Sequence, residues 1–201
     1  MNIFQDPSII ATFVGATVAL VSLLLNVMVS LRTQRLAEFL EISKSSLEFK
    51  KQQLDELYGI LLALNIQNDH LAKRLRDIEG EDFHLLDHLP DILQRKEIEP
   101  IVRLFLKNDE KIESLLLTKS SLIEGENFPP SFTLFLKHFG ILRSAVEGRP
   151  LAEYQQDDYY PKEFSADVER HFKMLKQEVD QLLKQRSRLL GNSKTIFASR
   201  K

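Results

Sequence analysis

The stretch that decides the fold is SIIATFVGATVALVSLLLNVMVSL, residues 8–31, which contains 24 residues and no charged side chain. The hydrocarbon core of a bilayer is about 30 Å thick and needs about 20 helical residues to cross it. Residues 1–7 hold no Lys or Arg and therefore lack the basic start of a cleaved signal peptide. The sequence predicts a retained transmembrane helix over 8–31, with the core helix of a soluble protein as the alternative.

The charges on either side of this stretch predict its orientation. Asp6 is the only charged residue before it, whereas Arg32 and Arg35 follow it directly. Because cytoplasmic flanks carry an excess of Lys and Arg, we expect residues 1–7 to be a short outer N-terminus and the body to be cytoplasmic at the cell inner membrane. The absence of cysteine agrees with that placement, and it excludes disulfides and cysteine-built metal sites.

Small and polar residues share one side of the predicted transmembrane helix. At about 100° per residue they fall within an arc of about 100°, and their small-xxx-small spacing lets helix backbones approach closely. Self-association through this stripe is our preferred interpretation. The alternatives are a ring of helices around a narrow aqueous pore and a chance distribution of small residues. The stripe consists of Ala11, Gly15, Ala19, Ser22, Asn26 and Ser30.

A seven-residue repeat follows over residues 32–79. A repeat sustained over six heptads is typical of a coiled coil, and a single polar residue in such a seam commonly fixes register and oligomeric state. Asn68 is that polar residue. We therefore expect a long helical stalk that ends at Gly80, with heptads that pack either between chains or in a bundle within one chain. The seam consists of Leu40, Leu47, Leu54, Leu61, Asn68 and Leu75, together with the companion positions Leu36, Ser43, Lys50, Leu57, Leu64, Leu71 and Ile78. Ser43 and Lys50 weaken its membrane-proximal half.

Residues 80–190 are predicted to form a cytoplasmic helical bundle. Apolar periodicity predicts helices over 98–122, between the breaks at Pro130 and Gly148, and from about Ser165 to Gly191. No segment shows the sustained period-two alternation of a strand, so the predicted fold is all-α. A basic tail over 191–201 follows. From Lys184 to Lys201 there are six basic residues and no acidic one, which favours anionic lipid if this end reaches the membrane and otherwise indicates a frayed tail.

Motifs for catalysis are absent from the sequence. There is no glycine-rich phosphate loop, GxSxG elbow, HExxH motif or dinucleotide fingerprint, so we expect neither an enzyme nor a cofactor. One pair of residues could bind a metal: His84 and His88 have the spacing that places two imidazoles on one helix face. The alternative is an exposed acidic stretch that happens to contain two histidines. A net charge of -2 gives no field for specific nucleic-acid binding.

We therefore expect a non-enzymatic single-pass membrane protein that self-associates and acts through a cytoplasmic protein partner. In its strongest form it is an effector that perturbs or permeabilises the membrane. In layout alone, without any shared motif, the chain resembles small bacterial membrane-anchored accessory or effector proteins, including those encoded beside defence systems. The alternatives are a membrane-tethered scaffold and a tethered metal-dependent enzyme. The expected partners are the lipid bilayer, further copies of the chain and a cytoplasmic protein.

Overall fold

The computed structural model describes residues 7–125, 127–149 and 160–198. Every regular element in these ranges is helical, which confirms the all-α prediction. Most of the predicted outer N-terminus, residues 1–6, and the last three residues of the predicted basic tail lie outside the described part of the chain. The helices are α1 (Pro7–Gln53), α2 (Gly59–Glu79), α3 (Leu89–Ile92), α4 (Glu99–Thr118), α5 (Pro130–Val146) and α6 (Lys162–Ala198).

The chain divides into two compact units, and the first comprises residues 1–47 and 185–201. It holds most of α1 together with the C-terminal part of α6. The side chains of residues 11–39 are exposed there, with Phe13 at 70% and Leu23 at 61%. Within the described residues, α1 belongs to the one helical stretch that is long and apolar enough to cross a membrane. The structure thus contains a candidate span where the uncharged sequence predicts one.

The second unit, residues 48–184, has an apolar core between α2, α4, α5 and α6. Phenylalanine rings supply much of its volume, as in the stacked pair Phe135–Phe164, whose centroids are 4.4 Å apart. The seam positions Leu57, Leu61 and Leu64 of the heptad repeat are buried in this core. The heptads of α2 therefore pack within the chain. Fully buried partners from the other helices are Ile112, Leu116, Phe132, Phe135, Phe139, Phe164 and Val168.

Glycine and proline determine several helix ends, as predicted. Gly80 follows the last residue of α2 and has a φ of 105°, a conformation that glycine adopts without steric cost. Pro130 begins α5, where its missing N–H is unimportant. The prediction that Gly191 ends the last helix is wrong, because α6 continues to Ala198. A glycine inside a helix costs only about 1 kcal/mol relative to alanine, which neighbouring residues offset.

One π-helical turn, Leu54–Tyr58, interrupts the long helix between α1 and α2. The Gly59 N–H donates to the carbonyl oxygen of Leu54, five residues earlier. A Cβ atom at Gly59 would lie 2.7 Å from that oxygen, closer than van der Waals contact allows. Gly59 is therefore required by the shape of the turn. Turns of this kind often occur at functional sites.

Candidate functional site

The predicted association stripe lies on a fully exposed part of α1. Ala11, Gly15 and Ala19 all have exposed side chains, and a Cβ atom at Gly15 would have nothing within 4 Å. Thr17 satisfies its hydroxyl inside the helix by donating to the Phe13 carbonyl oxygen at 2.8 Å. The structure thus places the stripe on one continuous helix and leaves its surface open.

The polar members of the stripe, Ser22, Asn26 and Ser30, also lie on the exposed surface of α1. Among the described residues, the Asn26 amide makes no side-chain hydrogen bond. An amide in a hydrocarbon environment is costly unless another helix or water provides hydrogen bonds. If α1 crosses a membrane, Asn26 is the residue of the candidate span with the greatest need for a hydrogen-bond partner.

A buried polar cluster connects α2 with α4. The Asn68 side-chain N–H donates to Asp109 Oδ1 at 2.7 Å, and Asn108 donates to Asn68 Oδ1 at 3.0 Å. All three residues are at most 3% exposed. Asn68, predicted to fix the register of a stalk, thus contacts a neighbouring helix of its own chain. The hydrogen bonds fix the alignment of α2 with α4.

Asp109 is the most unusual member of this cluster. Asp109 is 0% exposed, and its second carboxyl oxygen, Oδ2, has no hydrogen-bond partner among the described residues. Burial raises the pKa of Asp109 to about 7, although the hydrogen bond from Asn68 acts in the opposite direction. Asn65, one turn before Asn68, is also buried, and neither polar atom of its side chain has a partner in the described structure. The cluster is therefore only partly satisfied.

An open cleft of about 990 Å³ lies next to the cluster, with Asn68 in its wall. Its lining mixes both signs of charge with apolar side chains. The Tyr160 ring packs edge-on against His138 with centroids 5.7 Å apart, and its hydroxyl lies 3.2 Å from Ser165 Oγ. Burial raises the pKa of Tyr160. Such a cleft can offer hydrogen bonds and ion pairs to a partner. Its charged lining residues are Asp69, Arg76, Glu81, Lys162 and Glu163.

The two histidines of the predicted metal site do not share an α-helical face. His84 has extended backbone, with φ of −118° and ψ of 118°, and precedes the 3₁₀ turn Leu85–His88. The His88 ring stacks on Phe83 with centroids 5.3 Å apart. Within the described ranges, no group of three or more His, Asp or Glu residues is placed to hold a metal ion. The metal hypothesis assumed an α-helical backbone from His84 to His88, and that assumption is wrong.

Sequence reasoning missed Asp109, although a signal for it was present. The inward-facing positions of α4 include Val102, Ile112 and Leu116, and Asp109 falls in the same series. Its position is the counterpart on α4 of Asn68 on α2, a polar residue where the pattern calls for an apolar one. Two such positions in one chain suggest a buried pair, but only the structure shows that they meet.

The described residues thus offer two candidate functional surfaces, the exposed stripe of α1 and the cleft beside Asn68. Each lies within a single compact unit. Comparison of the chain with protein-family models, with curated proteins and with solved structures gave no match.

Proposed function

We propose that this chain is a non-enzymatic single-pass membrane protein that holds a helical bundle at the cytoplasmic face of the inner membrane. The observation that carries the proposal is the exposure of the uncharged segment, in which every side chain over residues 11–31 is exposed. Apolar surface of this extent is normally covered by lipid or by another chain. Its length matches the thickness of a bilayer.

The finer proposal is that copies of the chain associate through the stripe. Gly15 offers open space for a second helix backbone, and Asn26 would gain a hydrogen-bond partner from such contact. The strongest version is an effector, such as those of bacterial defence, in which Ser22, Asn26 and Ser30 face an aqueous pore. The cleft beside Asn68 is the proposed contact for a cytoplasmic protein partner, because it exposes both signs of charge.

The first experiment is the mass of the full-length protein in nanodiscs, compared with a Gly15→Ile variant. We expect a discrete oligomer that is lost in the variant, because a branched side chain separates the two backbones. Leu24→Ile is the matched control, since Leu24 lies opposite Gly15 on the helix at 100° per residue and exchanges one bulky side chain for another. A monomer in all three proteins would contradict self-association. An oligomer that Gly15→Ile leaves unchanged would exclude this stripe as the contact.

The pore version has its own test. Overexpression of the wild type should depolarise the membrane, and Asn26→Leu should abolish the effect because it removes the polar group of the span. Leu24→Ile again serves as the control. An unchanged membrane potential across a wide range of expression would contradict the effector and leave anchoring intact.

A membrane-tethered scaffold is the second candidate, and it predicts that the span acts only as an anchor. Replacement of residues 8–31 by an unrelated membrane helix would then preserve function. The tethered metal-dependent enzyme is the third candidate, and stoichiometric metal in the purified full chain, lost in His88→Ala, would be required for it. The extended backbone at His84 weighs against this third candidate.

A further inference from the structure

The last helix runs antiparallel to the long N-terminal helix within the unit of residues 48–184. Lys50 forms an ion pair with Glu178 at 2.8 Å. About two turns further along, the Tyr58 ring stacks on His171 with centroids 5.3 Å apart. Residue numbers rise along one helix as they fall along the other. From His171 to Glu178, α6 therefore approaches the end of this unit at which α1 enters it.

The other unit contains the ends of these same two helices. Residues 1–47 and 185–201 form one compact unit, so its limits cross α1 after Leu47 and α6 before Gln185. From Gln185, α6 continues to Ala198, a length of about 20 Å at 1.5 Å per residue. The residues that directly follow the uncharged segment, Arg32 and Arg35 among them, belong to this same unit.

Charge is segregated between the two units. Residues 32–47 and 185–198 contain six Lys and Arg but only two acidic residues, Glu38 and Glu41. Residues 48–184 contain 19 Lys and Arg against 26 Asp and Glu. In the unit that holds the candidate span, residues 32–47 and 185–198 therefore carry a net positive charge, whereas residues 48–184 carry a net negative charge. The basic residues are Arg32, Arg35, Lys44, Arg186, Arg188 and Lys194.

We propose that the C-terminal part of α6 returns to the bilayer and binds the anionic headgroups of phospholipids beside the cytoplasmic end of the span. Guanidinium groups pair with phosphate in a bidentate geometry, and Arg32, Arg35 and Arg188 have exposed side chains. Each basic residue near an anionic surface strengthens association by about fivefold. The proposal rests on the membrane anchoring proposed above and adds a second, lipid-specific contact to it.

The test uses the full chain, whose lack of cysteine permits a single labelled Ser193→Cys variant. The protein is placed in nanodiscs of phosphatidylcholine alone or with one quarter phosphatidylglycerol, and quenching of a fluorophore at position 193 by headgroup-labelled lipid is measured. We expect strong quenching in the anionic discs and a marked loss in neutral discs or at high salt.

Two variants in this labelled background separate charge from packing. The triple substitution Arg186→Gln, Arg188→Gln and Lys194→Gln should lower the ratio of surface-bound to free helix on the order of a hundredfold. The matched control removes three basic residues from the same helix inside the other unit, with Arg170→Gln, Lys173→Gln and Lys176→Gln, and should leave the quenching unchanged. Helix content by circular dichroism confirms that both variants fold.

Each other outcome overturns the proposal in a recognisable way. Quenching that is equal in neutral and anionic discs, or that the triple substitution does not change, means that packing against α1 alone places the helix and that lipid headgroups do not bind it. Absence of quenching in every disc means that α6 does not reach the surface. A chain that alkaline carbonate releases from vesicles fails at anchoring itself, which is a failure of the proposed function and is detected before any label is read.

Discussion

Replacement of Asp109 by asparagine is expected to make the protein more stable at alkaline pH. The folded state raises the pKa of this carboxyl group to about 7 from 3.8 in the unfolded chain. Between these values the folded state binds a proton that the unfolded state has lost, so the free energy of unfolding falls as the pH rises through this range. Above about pH 7 the folded protein holds a buried carboxylate, and the loss levels off.

The size of the effect follows from the same pKa values. A difference of about three pKa units corresponds to about 4 kcal/mol at most. The asparagine side chain would keep an oxygen that accepts from Asn68, as Asp109 Oδ1 does at 2.7 Å, and it resembles the protonated acid in shape and charge. We therefore expect Asp109→Asn to match the wild type at about pH 4 and to exceed its stability by about 2 to 4 kcal/mol at about pH 8.

Urea unfolding of the full chain in mild detergent, followed by circular dichroism at both pH values, measures this difference. Asp69→Asn is the matched control, because Asp69 is an exposed acidic residue one position after Asn68. It should change stability by less than about 0.5 kcal/mol. Equal pH dependence in Asp109→Asn and the wild type would refute the reasoning, as would a variant that is less stable at both pH values.

Two further substitutions test the connection between α1 and the bundle. Gly59→Ala should lower the free energy of unfolding, measured by thermal unfolding, by about 1 to 3 kcal/mol, because its Cβ would lie 2.7 Å from the Leu54 carbonyl oxygen. Gly140→Ala is the control, at a helical glycine with open space around it, and in the same measurement it should be neutral or stabilising. Lys50→Met should cost about 1 kcal/mol, because it removes two ion pairs whose glutamates remain partly solvated. Lys51→Met, at an exposed neighbouring position, should have little effect, and equal losses in both lysine variants would show that the ion pairs do not matter.

Lys50 also shows what a sequence pattern leaves open. At its position in the heptad seam a lysine weakens apolar packing, yet its side chain is only 17% exposed and contacts Glu124 at 2.7 Å and Glu178 at 2.8 Å. Burial lowers the pKa of Lys50, but the hydrogen bonds to both glutamates outweigh it and the pKa is raised. The partners lie far away in the sequence, so no local pattern could identify them.

The fold class and the buried face of α2 were predictable from the sequence, because periodicity is a local property. Leu57, Leu61 and Leu64 are buried as the seam requires. The partner of that face was not predictable, since a heptad specifies which side of a helix is apolar and not what covers it. Asn68 and Asp109 are 41 residues apart. The spacing of His84 and His88 gave a wrong prediction, because four residues place two side chains on one face only where the backbone is α-helical, and the backbone at His84 is extended.

The excess of acidic residues over residues 48–184 has a consequence for how closely copies of the chain could cluster in a membrane. Under the proposed self-association, copies that meet through their spans would also bring together their residues 48–184, each copy with 26 Asp and Glu against 19 Lys and Arg. Like charges repel over a Debye length of about 8 Å at physiological ionic strength and further in dilute buffer. In that arrangement, lateral repulsion between the acidic parts would oppose the proposed attraction between the spans. Cluster size would then depend on ionic strength, with small clusters in dilute salt and larger ones where salt screens the repulsion.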